Sequence, residues 1–423
     1  MANQLLYDIE GNMNPITFRV DITTPDRGTI SLNVAGIQEF YIIEDLEQTF
    51  RTGRVRFKDV DYLHEYLPFT GNETMEIEIR QGSSRKIVKF DIFKVERIEG
   101  DTQGQLVEWF DLLLIESGWY EMMTYKPGDS FKDKKSSEII FNLLKNYTQI
   151  ENINIIENTT TTYDLFVMPV TWTIMNTVQY LLSRSISENG GWGWVTWIDG
   201  GTKRQFNIQT IENIISTSKN KSDPDGFLFF RSSVPYSTEM ILSFTMHPID
   251  KFMLTRRLGG GKYYGTDRNT KTLSIYKTDL QKEIEKIELM GPKALFTEDR
   301  KYDSAYIELR SWAYGSHFPA NYHRNAFIKD YFNQMQVDVS TYGRVDRKLG
   351  QVLDIRWLSK VTPNSEEGQK NPYNDALKGR WLIKGITHYY RSDEEGLTYI
   401  NKMVLARNAY GKIPYSTLID KKV

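Results

Sequence analysis

The 423-residue chain contains no cysteine. Disulfides, thiol nucleophiles and cysteine-ligated zinc or iron–sulfur sites are therefore excluded. The compartment stays open, because reducing and oxidising environments both accept a cysteine-free protein. Histidine is scarce, at five residues. Only His317 and His323 lie close together, at a separation that matches no established metal-ligand spacing. No stretch reaches the ~18 apolar residues of a transmembrane helix. The opening MANQLLYDIEGNMNP is acidic and lacks the basic and apolar regions of a secretion signal. The expected setting is a soluble protein made in a cytoplasm, or one assembled there into something larger. Net charge is also small, because 53 basic and 55 acidic residues leave −2. Such a chain has no global attraction for nucleic acid or an anionic membrane.

Apolar and aromatic residues, by contrast, are plentiful. Forty per cent of the chain is hydrophobic, enough for a sizeable core. The 25 tyrosines and nine tryptophans suit strands and protein interfaces. At ~100–200 residues per domain the length predicts two to four domains. From Ile16 to about Ile115 the pattern is that of β-structure. ITFRVDITT puts Ile16, Phe18, Val20 and Ile22 on one face, and TMEIEIR does the same with Met75, Ile77 and Ile79. KIVKFDIFKVERI and QLVEWFDLLLI add two strands around EGDTQG.

From Trp119 the period changes. SSEIIFNLLKNYTQ places Ile139, Ile140, Leu143, Leu144 and Tyr147 at helical spacing, and TWTIMNTVQYLLSRS does so with Ile174, Val178, Leu181 and Leu182. Two alternating runs then flank Asp199-Gly200-Gly201-Thr202, a hairpin signal. STSKNKSDPD reads as a linker, and Phe244–Arg257 returns to strand. Thr278 opens a short helix with Gln281 completing a capping box and Leu280, Ile284 and Ile287 as its stripe. Ala305–Tyr331 is aromatic and shows no clear period. From Met335 to Arg407 the chain is again β. The expected modules are 1–118 (β), 119–215 (α+β, two helices and a hairpin), 216–330 (mixed) and 331–423 (β).

The two β regions align. GNETMEIEIR, IFKVERI and GQLVEWFDLLL match LGQVLDIRW, LIKGITHYY and GLTYINKMVL in order. Phe93-Lys94 and Ile383-Lys384 each open the middle strand, and Gly104 and Gly396 each lead the last one. The reading is one small β-barrel used twice.

Catalytic signals are weak. LGGGKYYGTD has three glycines before Lys262, but Tyr263 stands where a phosphate loop needs Ser or Thr. Carboxylate pairs such as Glu76 with Glu78, or Asp338 with Asp346, sit among strand charges expected to face water. No G-x-S-x-G motif appears. Trp192, Trp194 and Trp197 could stack on sugars or pack in a core or interface, with Trp192 and Trp194 expected on one face and Trp197 on the other. No catalytic, cofactor-binding or metal-ligating residue is assigned. The candidate interface residues are Trp192, Trp194, Trp357, Trp381, Tyr389 and Tyr390.

The order of modules resembles the central hub proteins of contractile phage tail baseplates, the T-even-type tail hub family, and the hub part of type VI secretion spikes. GRVRFKDVDYLHEYLPFTGNETMEIEIR is similar to their first barrel. SSEIIFNLLKNY with TVQYLLSRSISENGGWGWVTWIDGGTKRQFNI is similar to their insert, and VDRKLGQVLDIRW with GRWLIKGITHYY to their last barrel. The resemblance implies a mainly β, α+β fold of two similar small antiparallel β-barrels with an α+β insert. It implies a non-enzymatic homotrimer whose six barrels form a pseudo-sixfold ring in the virion baseplate, assembled in the host cytoplasm. Expected partners are a tail tube protein, a separate spike or needle protein and neighbouring baseplate proteins. DNA would pass through the lumen without specific binding. No cofactor and no membrane insertion are expected. The competing readings are a glycan-binding or peptidoglycan-degrading tail enzyme and the hub of a bacterial contractile injection system.

Overall fold

The alternating segments become strands whose inward positions are apolar. In the computed structural model of the chain, Val20, Ile22, Met75, Ile77 and Ile79 are all fully buried. Each such side chain contributes roughly 1.5–3 kcal/mol through burial. The structure describes residues 5–7, 13–26, 28–59, 69–102, 105–150, 152–199, 205–219, 224–229, 238–247, 261–267, 273–278, 310–312, 318–333, 335–356, 377–393 and 396–408.

The first part holds β1 (Leu5–Tyr7), β2 (Met13–Thr24), β3 (Gly28–Ser31), β4 (Ile37–Asp45), β5 (Gln48–Lys58), β6 (Thr74–Gln81), β7 (Ser84–Thr102) and β8 (Gln105–Glu116). The insert holds α1 (Trp119–Thr124), β9 (Ser130–Lys135), α2 (Ser136–Tyr147), β10 (Asn152–Ile155), β11 (Thr162–Val167), α3 (Ile174–Arg184), β12 (Trp194–Asp199), β13 (Gln205–Thr210) and α4 (Ile211–Lys219). There follow β14 (Gly226–Phe229), β15 (Ile241–Met246), β16 (Gly261–Asp267), β17 (Leu273–Thr278), β18 (Arg310–Trp312) and α5 (Phe318–Phe332). The chain returns in β19 (Met335–Tyr342), β20 (Val352–Arg356), β21 (Gly379–Asp393) and β22 (Gly396–Arg407).

The repeat is visible in the strand order. In the first unit the ladder runs β6-β7-β8-β5-β4, and in the second it runs β20-β21-β22-β19-β15. Every pair along both paths is antiparallel. The middle strands even share a bulge. The β7–β8 register shifts between Ile92 and Lys94, and the β21–β22 register shifts between Ile383 and Gly385. The residue passed over is Phe93 in one and Lys384 in the other, so the aligned Phe93-Lys94 and Ile383-Lys384 pairs fall at the bulge but one residue out of step.

The mainly β, α+β character is as expected, but the two similar small antiparallel β-barrels need correction. The ladder passes from the first unit into the second through β4 and β21, and fourteen of the described strands form one open sheet. Side chains, not backbone ladders, bring the ends of the first unit together. Its sheet curls until the ring of Phe18 on β2 lies 5.3 Å from that of Phe40 on β4. A twisted antiparallel sheet of this size buries its inner face by curling.

The insert packs α2 and α3 against a three-stranded sheet, β10-β13-β12, and a two-stranded ribbon of β9 and β11. Ile139, Ile140, Leu143 and Leu144 are fully buried on α2, as the spacing predicts. Thr173 caps α3 by accepting a hydrogen bond from the Asn176 backbone at 3.2 Å. The expected hairpin is present, with Asp199 opposite Gln205; its glycine turn lies outside the described residues.

Helix α5 arises where the sequence shows no period. Phe327, Ile328, Tyr331 and Phe332 are all buried, among Ile211, Ile214 and Ile215 of the insert and Leu46, Leu382 and Ala406 of the main sheet. These four lie on one helical face, but the same face carries the buried polar Asn321 and Asn325, which interrupt its apolar stripe. Of the glycine-rich run, Leu258, Gly259 and Gly260 lie outside the described residues, and Gly261 begins β16, paired with β17 and β18. The helix expected after Thr278 lies outside the described residues.

Candidate functional site

The pairing of β4 with β21 is the joint between the two units. It runs from Asp45 opposite Gly385 to Glu39 opposite Arg391. Three rings close over it. Tyr390 of β21 lies 5.0 Å from Phe40 and 4.2 Å from Phe18.

Inside the joint the alternation carries charge where it should carry carbon. Glu44, Arg51, Lys86 and Glu116 occupy inward positions on β4, β5, β7 and β8, and each is no more than 5 % exposed. Arg51 grips Glu116 with two side-chain bonds, one of them 2.7 Å from Nε to Oε2, and a third comes from its backbone N–H at 3.2 Å. Its Nη1 lies 3.6 Å from Glu44 Oε1, and Lys86 Nζ lies 2.8 Å from the same oxygen. Two carboxylates thus balance two cations. Burial works against the charge on Arg51, but Glu116 outweighs it and holds the guanidinium above its ordinary value. Burial lowers Lys86, and Glu44 offsets part of that effect.

His388 completes the cluster from β21. Its Nε2 stands 3.0 Å from Lys86 Nζ and its Nδ1 stands 2.6 Å from the Tyr399 hydroxyl on β22. Asn401 on β22 also turns its side-chain nitrogen to Nδ1, at 3.1 Å, while its Oδ1 accepts from the Arg344 backbone N–H, so polar partners face both ring nitrogens. Burial first, then the nearby Lys86, Arg51 and Arg347 charges, push His388 well below its ordinary pKa. The ring is neutral. Such a network adds little net stability over an apolar core, but leaving one member unpaired is expensive. It therefore ties the two units into one register.

A second contact spans the units beside it. Gln81 at the end of β6 accepts from the Val345 backbone at 3.0 Å and donates to Gly343 O at 3.3 Å. Gly343 lies flat against Tyr399; a Cβ there would stand 1.9 Å from the ring. The insert is fastened as well. Asn325 of α5 donates to Ser183 O in the last turn of α3 and to Ser185 O just past it, at 3.0 and 3.1 Å, and accepts from Gly193 N–H at 2.9 Å. Those carbonyls would otherwise be unsatisfied at the helix end. Thr49 and Thr196 link β5 to β12 at 2.7 Å.

The six aromatic candidates divide. Trp194, Trp381 and Tyr390 are buried at 2 %, 0 % and 3 % exposure. Trp194 Nε1 donates to Ser185 O and Trp381 Nε1 donates to Leu377 O, both at 3.0 Å. These three pack the chain's own cores and present no surface to a neighbour. Trp192 and Tyr389 are half-buried, with Arg324 and Lys402 over their rings. Trp357 lies outside the described residues. Trp192 and Trp194 also fail to share a face, because Gly193 takes φ +79° and breaks the alternation. Trp194 joins the insert core, whereas Trp192 and Trp197 pack towards α5.

The carboxylate pairs form no cleft. Glu78 is buried between Arg80 and Arg85, and the Arg80 bond holds its carboxyl below the ordinary range. Asp111 is held likewise by Arg54, with Arg56 at 2.8 Å. Asp338 meets His247 at 2.9 Å and Asp346 meets Arg344 at 2.6 Å. The side chains of His317 and His323 lie outside the described residues, and no group of potential metal ligands occurs among those described. Sequence reasoning missed Glu44, Arg51, Lys86 and Glu116. A signal existed, because each falls in step with the buried residues of its own strand.

No family model and no curated protein matches the sequence. Solved structures do. A tail protein from Neisseria meningitidis MC58 superposes with a TM-score of 0.55 at 8 % identity, over 92 % of this chain and 96 % of that one. A 43 kDa tail protein of prophage MuSo2 from Shewanella oneidensis gives 0.55 at 10 % identity, over 93 % and 99 %. The chain has the fold of these tail proteins. A Francisella PdpA–VgrG complex in a half-lidded state gives 0.50 at 9 % identity, over 95 % of this chain and 59 % of that one. Identities this low establish the tail-protein fold and nothing about individual residues.

Proposed function

We propose that the protein is a structural hub subunit of a phage tail baseplate. Three copies form a ring in which each contributes two similar β units, and the six units present near-sixfold symmetry to a tail tube. The threefold face holds a separate spike, and DNA passes through the lumen. The observation that carries this reading is the duplicated five-strand path with its shared bulge. A repeat inside one chain is how a trimer matches a sixfold partner, since symmetry of the assembly constrains its interfaces. The end-to-end likeness to two tail proteins supports it. The role is non-catalytic, because the buried charges are spent on each other. The two curled units act as the barrels of the ring, and Trp192, Tyr389 and Trp357 are the aromatic candidates for contacts between subunits.

The PdpA–VgrG likeness supports a second reading, the same hub role in a bacterial injection machine. Light scattering on a sizing column tests the core of both. A mass three times 49.4 kDa is expected, followed by a ring of six lobes in electron micrographs. A chain that stays monomeric at all concentrations overturns the ring.

A further inference from the structure

The repeat also specifies how one copy meets the next. Ile92 pairs with Leu114 and Ile383 with Leu405 on the near side of the shared bulge. Lys94 pairs with Leu113 and Gly385 with Val404 on its far side. Counting on, Arg97 corresponds to His388 and Ile98 to Tyr389. The outer strands follow from the same count. Tyr41 lies opposite Arg54, which lies opposite Leu113. Thr245 lies opposite Asp338, which lies opposite Val404. Thr245 of β15 is thus the counterpart of Tyr41 of β4.

The two units differ in one ladder. Beyond its bulge, β21 leaves β20 and takes β4 of the first unit along its edge, with Tyr41 opposite Tyr389. Beyond its own bulge, β7 likewise leaves β6, whose last partner is Asp91. Among the described residues no strand lies there in the place that β4 takes against β21. Phe93 and Ile98 at this edge are 59 % and 42 % exposed. A sheet edge of this kind is a template for another strand.

We infer that β15 of a second copy of this chain adds antiparallel to β7 beyond its bulge, placing Thr245 of one copy opposite Ile98 of the next. The joint inside each chain is then repeated between chains. The contact is head-to-tail, so it closes into a ring when the copies rotate by equal steps. This inference rests on the ring reading above and adds its register.

The absence of native cysteine makes the test direct. Antiparallel partners stand about 4.5–5.5 Å apart at Cα, within disulfide reach. The full chain carrying Ile98→Cys and Thr245→Cys is oxidised and run on a non-reducing gel. Reductant-sensitive bands at two and three chain masses are expected, and either single substitution alone should give none of the three-chain band. The pair Tyr41→Cys and Tyr389→Cys calibrates the geometry, because it should close within one chain. A trimer by light scattering whose calibrating pair closes, but whose Ile98–Thr245 pair does not link chains, overturns this register and leaves the ring standing. A persistent monomer overturns both. Hydrogen exchange on the unsubstituted protein gives an independent answer. The amides of Val95–Ile98 should exchange about tenfold or more slowly in the assembled form than in dilute monomer, and equal rates count against the pairing.

Discussion

Lys86 Nζ and His388 Nε2 stand 3.0 Å apart in the interior, although 302 residues separate them in the chain. One comes from the first β unit and the other from the second. The contact forms only when both units are folded and in register, and it keeps an imidazole beside an ammonium with both side chains buried.

That arrangement predicts acid sensitivity. His388 has a folded pKa well below its ordinary value, chiefly through burial. Above pH ~6.5 the histidine is neutral folded or unfolded, and its full contribution to stability is present. As pH falls below that value the unfolded chain takes a proton that the folded chain refuses. Stability should therefore fall by up to ~1.4 kcal/mol per pH unit from this group, until the folded value is reached. Urea unfolding between pH 7.5 and 5 measures it. His388→Gln, which cannot titrate, should flatten the slope. An identical slope in the variant would remove His388 from the account.

Breaking one arm of the buried network should be severe. Arg51→Met leaves Glu116, fully buried, without its partner. A loss of ~3–5 kcal/mol is expected. Adding Glu116→Gln removes the stranded charge and should recover a large part of that loss. A double-mutant cycle by chemical denaturation shows whether the two residues are coupled as strongly as their geometry requires.

Gly343 tests the second contact between the units. Gly343→Ala puts a methyl group 1.9 Å from the Tyr399 ring, so the backbone or the ring must move. Overpacking of this kind costs ~1–3 kcal/mol. The displaced ring also carries the hydroxyl that faces His388. The variant should therefore lose stability and show faster exchange at the β4–β21 amides together. Loss of stability with those amides unchanged would show the two contacts to be independent.

Much of the fold was legible in the residues. Strict alternation in TMEIEIR and helical spacing in SSEIIFNLLKNY each placed a buried face correctly, because a half-buried element must expose one side and hide the other. The duplicated segments were legible too, to within one residue at the bulge. The helix α5 was not, since polar Asn321 and Asn325 share its buried face with the apolar residues. Nor was the fate of the tryptophans. Trp194 and Trp381 read as interface residues and are core residues, because size and aromaticity are the same in both settings.

The sequence alone determined the local elements, the exclusion of cysteine chemistry and the presence of a repeat, since each depends on neighbours within a few residues or on composition. Only the tertiary structure decided that the two units share one sheet, that β4 lies on β21, and that Glu44, Arg51, Lys86, Glu116 and His388 meet. Apart from Glu44 with Arg51, those pairings join residues tens to hundreds of positions apart. Burying each charge is costly unless its partner is buried with it, and no local pattern records which distant charge will be waiting there.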